Sequence, residues 1–552
     1  MKLFEFINKC LNAYGCKKAF GVPGSLIMPV WQGLTDLELS LCGHEQEASY
    51  CATGYAKVSF EPVAVITTGS PGVTNCISGV AGGYMDSIPL IYISGRTATF
   101  DDGKGLRQEE SGNNRCFDSV DIMQPITKKS ILIKSKETAA KEFEEICVLS
   151  LEARKGPVHI TIPEDIQNEE IGYVNIEELY KRAEKFRECK NIKEDINEDF
   201  SSIINSNKRK LIIMGWGCWL SQSVEDVYEL AKHINAPILV TSKAYCCACE
   251  NNMFLGKLGY GENPVLKDFL EEYKPELVLA FGTSMSKKDI SEDMVKLFPI
   301  NNTHIFTVEP EDSNKYFRGV WHKVYELKKT IKDLLQGSFI SQNIGNFVSE
   351  CRKKQREYYG DYIDENDLMA KTISQISCFK AQPIIVTADA GNHLLNTAVL
   401  FEAEHKGQIF INDGIRAMGS GICETVGMAI ADPNYKYIAI TGDGCMLMNG
   451  NVMHMSAKKN LPILFVVYVN LSLGRVRVGQ MIKGEIIESD LQQIDFSLYA
   501  KSMGLDSVSV NDVDGFCKHV ENFIKVPRPT LIEVHTDPNE IPIALKAKGE
   551  WN

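Results

Sequence analysis

The residues best suited to chemistry stand at the ends of apolar runs. Gly442-Asp443-Gly444 follows the run YIAIT, and Asn470 follows the run PILFVVYV, 27 positions after Asp443. A helix-like stretch, NVMHMSAKKN, lies between them. With both runs as strands, one carboxylate and one amide oxygen arrive together at two strand ends. A hard cation such as Mg²⁺ takes oxygen ligands in an octahedron and keeps phosphate oxygens in its shell. The glycines beside Asp443 let backbone approach such a phosphate closely. Gly-Asp-Gly alone is an ordinary tight turn; the paired Asn at a second strand end points to a metal instead. A further candidate is Glu45 in CGHEQEASYCATGYAK, at a strand-to-helix transition, with Glu47 beside it. Helix starts favour acidic residues through the dipole, so local physics does not choose between these two carboxylates.

Three α/β segments position these groups. The first alternates strand and helix through KAFGVPG, a helix after Ser25, a strand near Leu39–Cys42, a helix from Glu45 to Val58, VAVITT, a helix after Pro71, IPLIYIS and PVHITIP. The second carries KLIIMGWG, APILVTS, ELVLAFG and HIFTVEP, and the third PIIVTADAG, QIFIND, YIAITGDG, PILFVVYVN and PTLIEVHT. Short apolar runs bounded by Gly or Pro are the mark of buried parallel strands. Charged joints lie at Gln167–Lys210, read as a charged helix plus a linker, and near Gly337–Asp367. The expected architecture is three doubly wound parallel-sheet domains, 1–168, 190–340 and 360–552. In such sheets ligands bind beyond the carboxyl ends of the strands, where both motifs fall.

A net charge of -13 over 552 residues argues against general affinity for nucleic acid. No apolar stretch is long enough to span a membrane, and the amphipathic MKLFEFINKCLNAYGCKK, lacking a long apolar core, is not expected to be a signal peptide. The 17 cysteines are scattered, as in a reducing cytoplasm. Cys246, Cys247 and Cys249 cluster but lack the further ligands of a zinc site.

Gly-Asp-Gly, a helix, then Asn after an apolar strand resembles the signature of thiamine-diphosphate enzymes. Over nearly its whole length the chain looks like the acetolactate synthase and 2-oxo-acid decarboxylase family. That resemblance implies thiamine diphosphate and Mg²⁺ as cofactors, with Asp443, Asn470 and the carbonyl of Ser472 on the metal. It implies that Gly391, Asn392 and His393 of TADAGNH hold the diphosphate, and that Gly442, Gly444, Cys445, Leu473 and Gly474 line the cofactor. Met418 of IRAMGSG matches the apolar prop that bends it. The pattern His-Glu followed by Gly-Tyr-Ala selects Glu45 as the activating acid against the pyrimidine nitrogen. TTGSPGVTN supplies Pro71 and Asn75 as pyrimidine contacts. The three domains become pyrimidine-binding, middle and diphosphate-binding. In the family the first domain of one chain faces the third of another, which implies a homodimer or homotetramer. Val469 and Cys445 depart from the usual Asn and Ser without removing a metal ligand.

The specificity positions depart further. GVPGSLIMPVWQGL, HEQEASYCATGYAK and QPITKK fit acetolactate synthase. Its middle-domain Arg after Gly-Ala is Ser284 here, its Trp nine positions after the metal-binding Asn is Gly479, and a Gln-Glu pair is Arg115-Cys116. The resemblance implies a 2-oxo acid donor, pyruvate first; these losses suggest a bulkier, less acidic carbonyl acceptor, such as a nucleotide-linked ketosugar, or none. The alternatives are acetolactate synthase proper, a decarboxylase that releases an aldehyde, and a non-catalytic subunit. Retention of Glu45, Met418, Asp443 and Asn470 speaks against the last. Lys287 and Lys288 are either aids to an anionic acceptor or solvated charges. FAD, often carried by acetolactate synthases, is possible but not favoured, because neither MGWGCWLSQS nor FGTSMSKK is a G-x-G-x-x-G loop.

Overall fold

A computed structural model describes residues 1–113, 115–152, 154–188, 200–310, 316–337, 339 and 344–549. By compactness the chain falls into two units, one of Met1–Asn191, Gly414–Pro433 and Asn449–Ile463, the other of Ile192–Asp413, Asn434–Met448 and Leu464–Asn552.

The first unit holds a six-stranded sheet of β1 (Lys18–Val22), β2 (Glu38–Leu41), β3 (Val63–Thr67), β4 (Leu90–Arg96), β5 (Ser130–Leu132) and β6 (Val158–Pro163), in the order β2-β1-β3-β4-β6-β5. Every pairing is parallel. Runs such as VAVIT and VHITIP are buried along their whole length, because helices cover both faces. Ala19, Ile66, Ile93 and Ile160 pack one face against Leu3, Phe6 and Phe143 of the helices Leu3–Ala13 and Lys136–Leu151.

Two stretches from the C-terminal third fold into this unit. The helix Ser420–Ala431 crosses the helix Glu45–Ser59 so closely that side chains are excluded at the crossing. A Cβ on Gly54 would lie 2.0 Å from the Glu424 carbonyl oxygen, and one on Gly427 would lie 1.9 Å from that of Cys51. Lys57 is buried beside this crossing and pairs with Asp86 at 2.7 Å and Glu424 at 2.8 Å. A buried cation demands such compensation, and the two carboxylates hold its pKa above the usual lysine range against the opposing effect of burial.

The second unit holds two parallel six-stranded sheets. One comprises β7 (Lys210–Met214), β8 (Ile238–Val240), β9 (Phe254–Lys257), β10 (Leu277–Phe281), β11 (Thr303–Thr307) and β12 (Val320–Lys323), ordered β12-β11-β10-β7-β8-β9. Read from its other edge this is the doubly wound order of dinucleotide-binding sheets. The other comprises β13 (Ile384–Ala388), β14 (Ile409–Ile411), β15 (Lys436–Gly442), β16 (Ile463–Val469), β17 (Asp506–Val510) and β18 (Thr530–His535), ordered β14-β13-β15-β16-β18-β17. That order repeats the one in the first unit.

Helices run through the described parts of the charged joints: Ile176–Glu188 and Phe200–Ser206 in the first, Gly345–Gly360 in the second. The remainder of the first joint, 189–199, and positions 338 and 340–343 of the second lie outside the described residues. Among the described residues no helix is long and apolar enough to cross a membrane.

Candidate active site

In the second unit the two candidate cation-binding residues converge at the ends of β15 and β16. Asp443 opens the helix Asp443–Asn449 directly after β15, and Asn470 directly follows β16. Asp443 Oδ2 accepts the backbone N–H of Asn470 at 3.0 Å and of Leu471 at 2.7 Å, while Oδ1 accepts that of Gly444 at 2.8 Å. Asn470 Oδ1 accepts the Ser472 N–H at 3.1 Å, and the Ser472 hydroxyl donates to the Ser489 carbonyl at 3.0 Å. This carboxylate thereby clamps a turn in which Leu471 stands at φ +54°, a left-handed conformation that costs a branched residue free energy. Burial raises the Asp443 pKa, and the surrounding backbone donors oppose that rise.

Gly391, Asn392 and His393 follow β13 on the same side of the sheet. Both polar atoms of the Asn392 amide and His393 Nε2 are buried without a hydrogen-bond partner among the described residues. Burial holds the His393 ring neutral, with its pKa down at about 4. A Cβ on Gly474 would lie 2.7 Å from Asn470 Nδ2 and 3.0 Å from Asn392 Nδ2, and one on Gly442 would lie 3.1 Å from His393 Cε1. The glycines therefore leave the backbone open beside polar atoms that lack partners. Buried groups of this kind cost about 1–3 kcal/mol each when unsatisfied, which marks a place built for a polar ligand. Cys445 donates through Sγ to the Ala390 carbonyl at 3.1 Å, and Leu473 precedes the helix Gly474–Lys483.

In the first unit Glu45 is the first residue of its helix, behind the N-cap His44, whose Nδ1 accepts the Gln46 N–H at 3.1 Å. Glu45 Oε2 accepts from Asn75 Nδ2 at 2.9 Å, which joins two helix starts, because Asn75 lies one turn into the helix Pro71–Asp86. Pro71 begins that helix, where its missing N–H costs nothing. Met418 belongs to the same unit, and its carbonyl accepts Asn449 Nδ2 at 3.4 Å.

The two acidic candidates differ in surroundings. Glu47 is 1% exposed, and its Oε2 accepts from Gly43 N at 3.2 Å and Asn451 Nδ2 at 2.9 Å. Burial pushes its pKa from 4.5 up to about 7. The folded protein therefore keeps a proton that the unfolded chain releases, and stability falls as pH rises between those two values. The fall is roughly 3 kcal/mol at 1.36 kcal/mol per unit. Glu47→Gln keeps an acceptor for both donors and is expected to remove this contribution. Denaturant unfolding at a series of pH values checks it: the variant's stability relative to the parent should grow from pH 5 to pH 8, and a difference that stays constant with pH contradicts the assignment.

Several neighbours have no local sequence signal. Glu110, fully buried and pushed up to about 7 by that burial, accepts the N–H of Ser70, a non-glycine at φ +54° just before Pro71. Lys288 donates to the Asp413 carbonyl at 3.1 Å and its carboxylate at 3.2 Å, so it is not simply solvated, whereas Lys287 is exposed and pairs with Glu292. Arg115 and Cys116 sit on a loop, with Arg115 at φ +66°. A side chain at Gly479 would meet open space.

Comparison with known proteins bears on this geometry. Residues 1–115 match the N-terminal TPP binding domain of thiamine pyrophosphate enzymes, 198–334 their central domain and 389–534 their C-terminal TPP binding domain. The chain is 26% identical to a probable acetolactate synthase large subunit of Methanocaldococcus jannaschii, over 98% of this chain and 93% of that protein. It is 25% identical to the acetolactate synthase isozyme 2 large subunit of Escherichia coli, over 99% and 98%. With the acetolactate synthase large subunit of Lactococcus lactis the identity is 24%, over 97% and 92%.

Proposed function

The chain belongs to the thiamine pyrophosphate enzymes, and from that premise we propose that it is a thiamine-diphosphate- and Mg²⁺-dependent carboligase. It takes a two-carbon unit from a 2-oxo acid, pyruvate first, and transfers it to a carbonyl acceptor. The observation that carries this reading is the oxygen set of Asp443 and Asn470 beside the partnerless Asn392 amide and His393 Nε2.

These residues fit the group. One carboxylate, one amide oxygen and the Ser472 carbonyl suit a hard cation that keeps phosphate oxygens as its other ligands. Asn392 offers an amide N–H₂ to a diphosphate oxygen. An anion at His393 Nε2 favours the protonated ring over the neutral one, so His393 becomes a donor when the site is filled. Thiamine diphosphate, when bound, supplies the electron sink that lets a 2-oxo acid lose CO₂. Glu45 holds a proton at the pyrimidine ring nitrogen, positioned by the Asn75 amide on Oε2. Pro71 and Met418 provide apolar contact. Glu47 is the weaker candidate because Gly43 and Asn451 already occupy it.

The resemblance further supports a homodimer or homotetramer in which Glu45 and Asp443 of different chains serve one cofactor. Free cysteines throughout the described residues support a cytoplasmic setting. FAD is not part of the proposal: the middle sheet has a dinucleotide-binding order, but the loop after β7 lacks the phosphate-binding glycine pattern.

The acceptor is proposed to be other than a second 2-oxo acid, and possession of Ser284 and Gly479 supports this. An arginine–carboxylate contact contributes about 1.5–3 kcal/mol. Its absence weakens acceptor discrimination by roughly ten- to a hundredfold. Gly479 adds open volume where the family's Trp would stand. The test follows CO₂ and acetolactate separately with pyruvate. Slow CO₂ release, accelerated by a bulky carbonyl compound such as a nucleotide-linked ketosugar, is expected. Rapid acetolactate formation from pyruvate alone would favour the second reading, acetolactate synthase proper, which the relatives' names support. CO₂ release at full rate with free acetaldehyde as product would favour a decarboxylase.

A further inference from the structure

Away from the ends of β15 and β16, the second unit contains two adjoining cavities of about 410 Å³ and about 210 Å³ that share Lys257, Arg352, Arg356 and Glu402. Their charged lining is unbalanced. Among the described residues, Lys257, Arg352, Arg356 and Lys380 face two carboxylates, Glu402 and Glu250. Glu402 is shared by Arg352 and by Arg356 Nε, and Lys380 pairs with Glu250. Among the described residues the Arg356 guanidinium has no other acceptor, so its two Nη groups remain available.

Lys257 is the innermost cation. It is 6% exposed, and its Nζ donates to the carbonyls of Ala398 at 2.8 Å and Phe401 at 2.7 Å. An ammonium has three N–H bonds, and among the described residues the third finds no oxygen; the Tyr245 ring lies 5.3 Å from Nζ to its centroid. One wall of the larger cavity is apolar, formed by Ile363, Val399 and Leu400. A volume of 410 Å³ is within the range of about 300–1,000 Å³ typical of small-molecule sites.

We propose that these cavities form a binding site for a small organic phosphate monoester, its phosphate between Arg356 and Lys257 and its organic body along Ile363, Val399 and Leu400. A planar guanidinium with two open Nη groups matches two phosphate oxygens. The site is separate from the proposed diphosphate site, which uses Asn392 and His393, although Val399 and Leu400 end the helix that those residues begin.

The charge of Lys257 provides a signature. Burial pushes its pKa down to about 7; Glu402 opposes this and Arg352 adds to it. A phosphate monoester is almost fully dianionic at pH 8, its second pKa being about 6. Binding at pH 8 should therefore draw a proton from solvent onto Lys257.

Isothermal titration of phenyl phosphate into holoenzyme saturated with thiamine diphosphate and Mg²⁺ tests this, at pH 8 in buffers of different ionisation enthalpy. One site per chain with net proton uptake is expected, and inorganic phosphate should bind more weakly because it lacks the organic body. Arg356→Gln, on the exposed side of the site, should weaken binding at least tenfold. Lys257→Met should bind weakly and without proton uptake. Absence of binding to holoenzyme, binding that appears only when thiamine diphosphate is withheld, or affinity unchanged in Arg356→Gln overturns the proposal. The Arg356 variant decides the matter should Lys257→Met fail to fold.

Discussion

Asp443→Ala should abolish Mg²⁺-dependent binding of thiamine diphosphate. Asp443 is the carboxylate of the proposed metal set. Loss of an outer-shell partner alone typically costs 10–100-fold in metal affinity, so loss of the inner carboxylate is expected to cost more than about a hundredfold. The substitution also removes the acceptor for the N–H groups of Gly444, Asn470 and Leu471. Leu471 is held in a left-handed turn by two of these bonds, directly or through its neighbour. Some destabilisation will accompany Asp443→Ala for that reason. Asp443→Asn separates the effects, since its one amide oxygen can still accept from Asn470 and Leu471 while the charge, and the acceptor for Gly444, are gone. Cofactor titration by fluorescence quenching, with and without Mg²⁺, is the measurement. Both variants should lose the Mg²⁺-dependent part, with Asp443→Asn retaining more thermal stability. Unchanged affinity in either would remove Asp443 from the site.

Glu45→Gln should bind cofactor and remain folded yet lose activity by about 10²–10⁴-fold, the range for a positioned acid–base group. Glutamine preserves the acceptor for Asn75 Nδ2, so the link between the two helix starts survives. What it lacks is a carboxylate that can hold a proton at the pyrimidine nitrogen. Hydrogen–deuterium exchange of the thiazolium proton, followed by NMR, reports this step without any substrate. Exchange should slow greatly in Glu45→Gln and stay fast in Glu47→Gln, whose carboxylate is enclosed by Gly43 and Asn451. The reverse pattern would transfer the role to Glu47.

Much of this architecture was legible in the sequence because parallel strands covered on both faces are continuous apolar runs. VAVIT, LVLAF and ILFVVYV announce themselves. The strands without such a signal are β5, β9, β12 and β17, each at the edge of its sheet. An edge strand has a partner on one side only, and its sequence relaxes accordingly: DSVSV is mostly solvent-facing, and VWHK carries a lysine. Asp443 and Asn470 were readable because each directly follows a strong strand. Glu45 against Glu47 was not settled by local pattern, since both occupy a helix start. Their difference arises from distant residues, Asn75 in one case and Asn451, 404 positions away, in the other. The same holds for Glu110 on Ser70 and for Lys257 on the carbonyls of Ala398 and Phe401. Such pairings exist only once the chain has folded. That Gly414–Pro433 and Asn449–Ile463 join the first unit is likewise a tertiary fact, carried by the glycine crossing at Gly54 and Gly427.

The central claim is that this protein decarboxylates a 2-oxo acid with thiamine diphosphate held through Mg²⁺. Protein stripped with a chelator and dialysed can be given a panel of 2-oxo acids, pyruvate included, with thiamine diphosphate and Mg²⁺ present together, singly or not at all, and CO₂ followed over time. CO₂ release from at least one 2-oxo acid that requires both additions, and that Asp443→Asn and Glu45→Gln each suppress, is the predicted result. Release that continues without thiamine diphosphate, or no release from any 2-oxo acid when both are present, would contradict it.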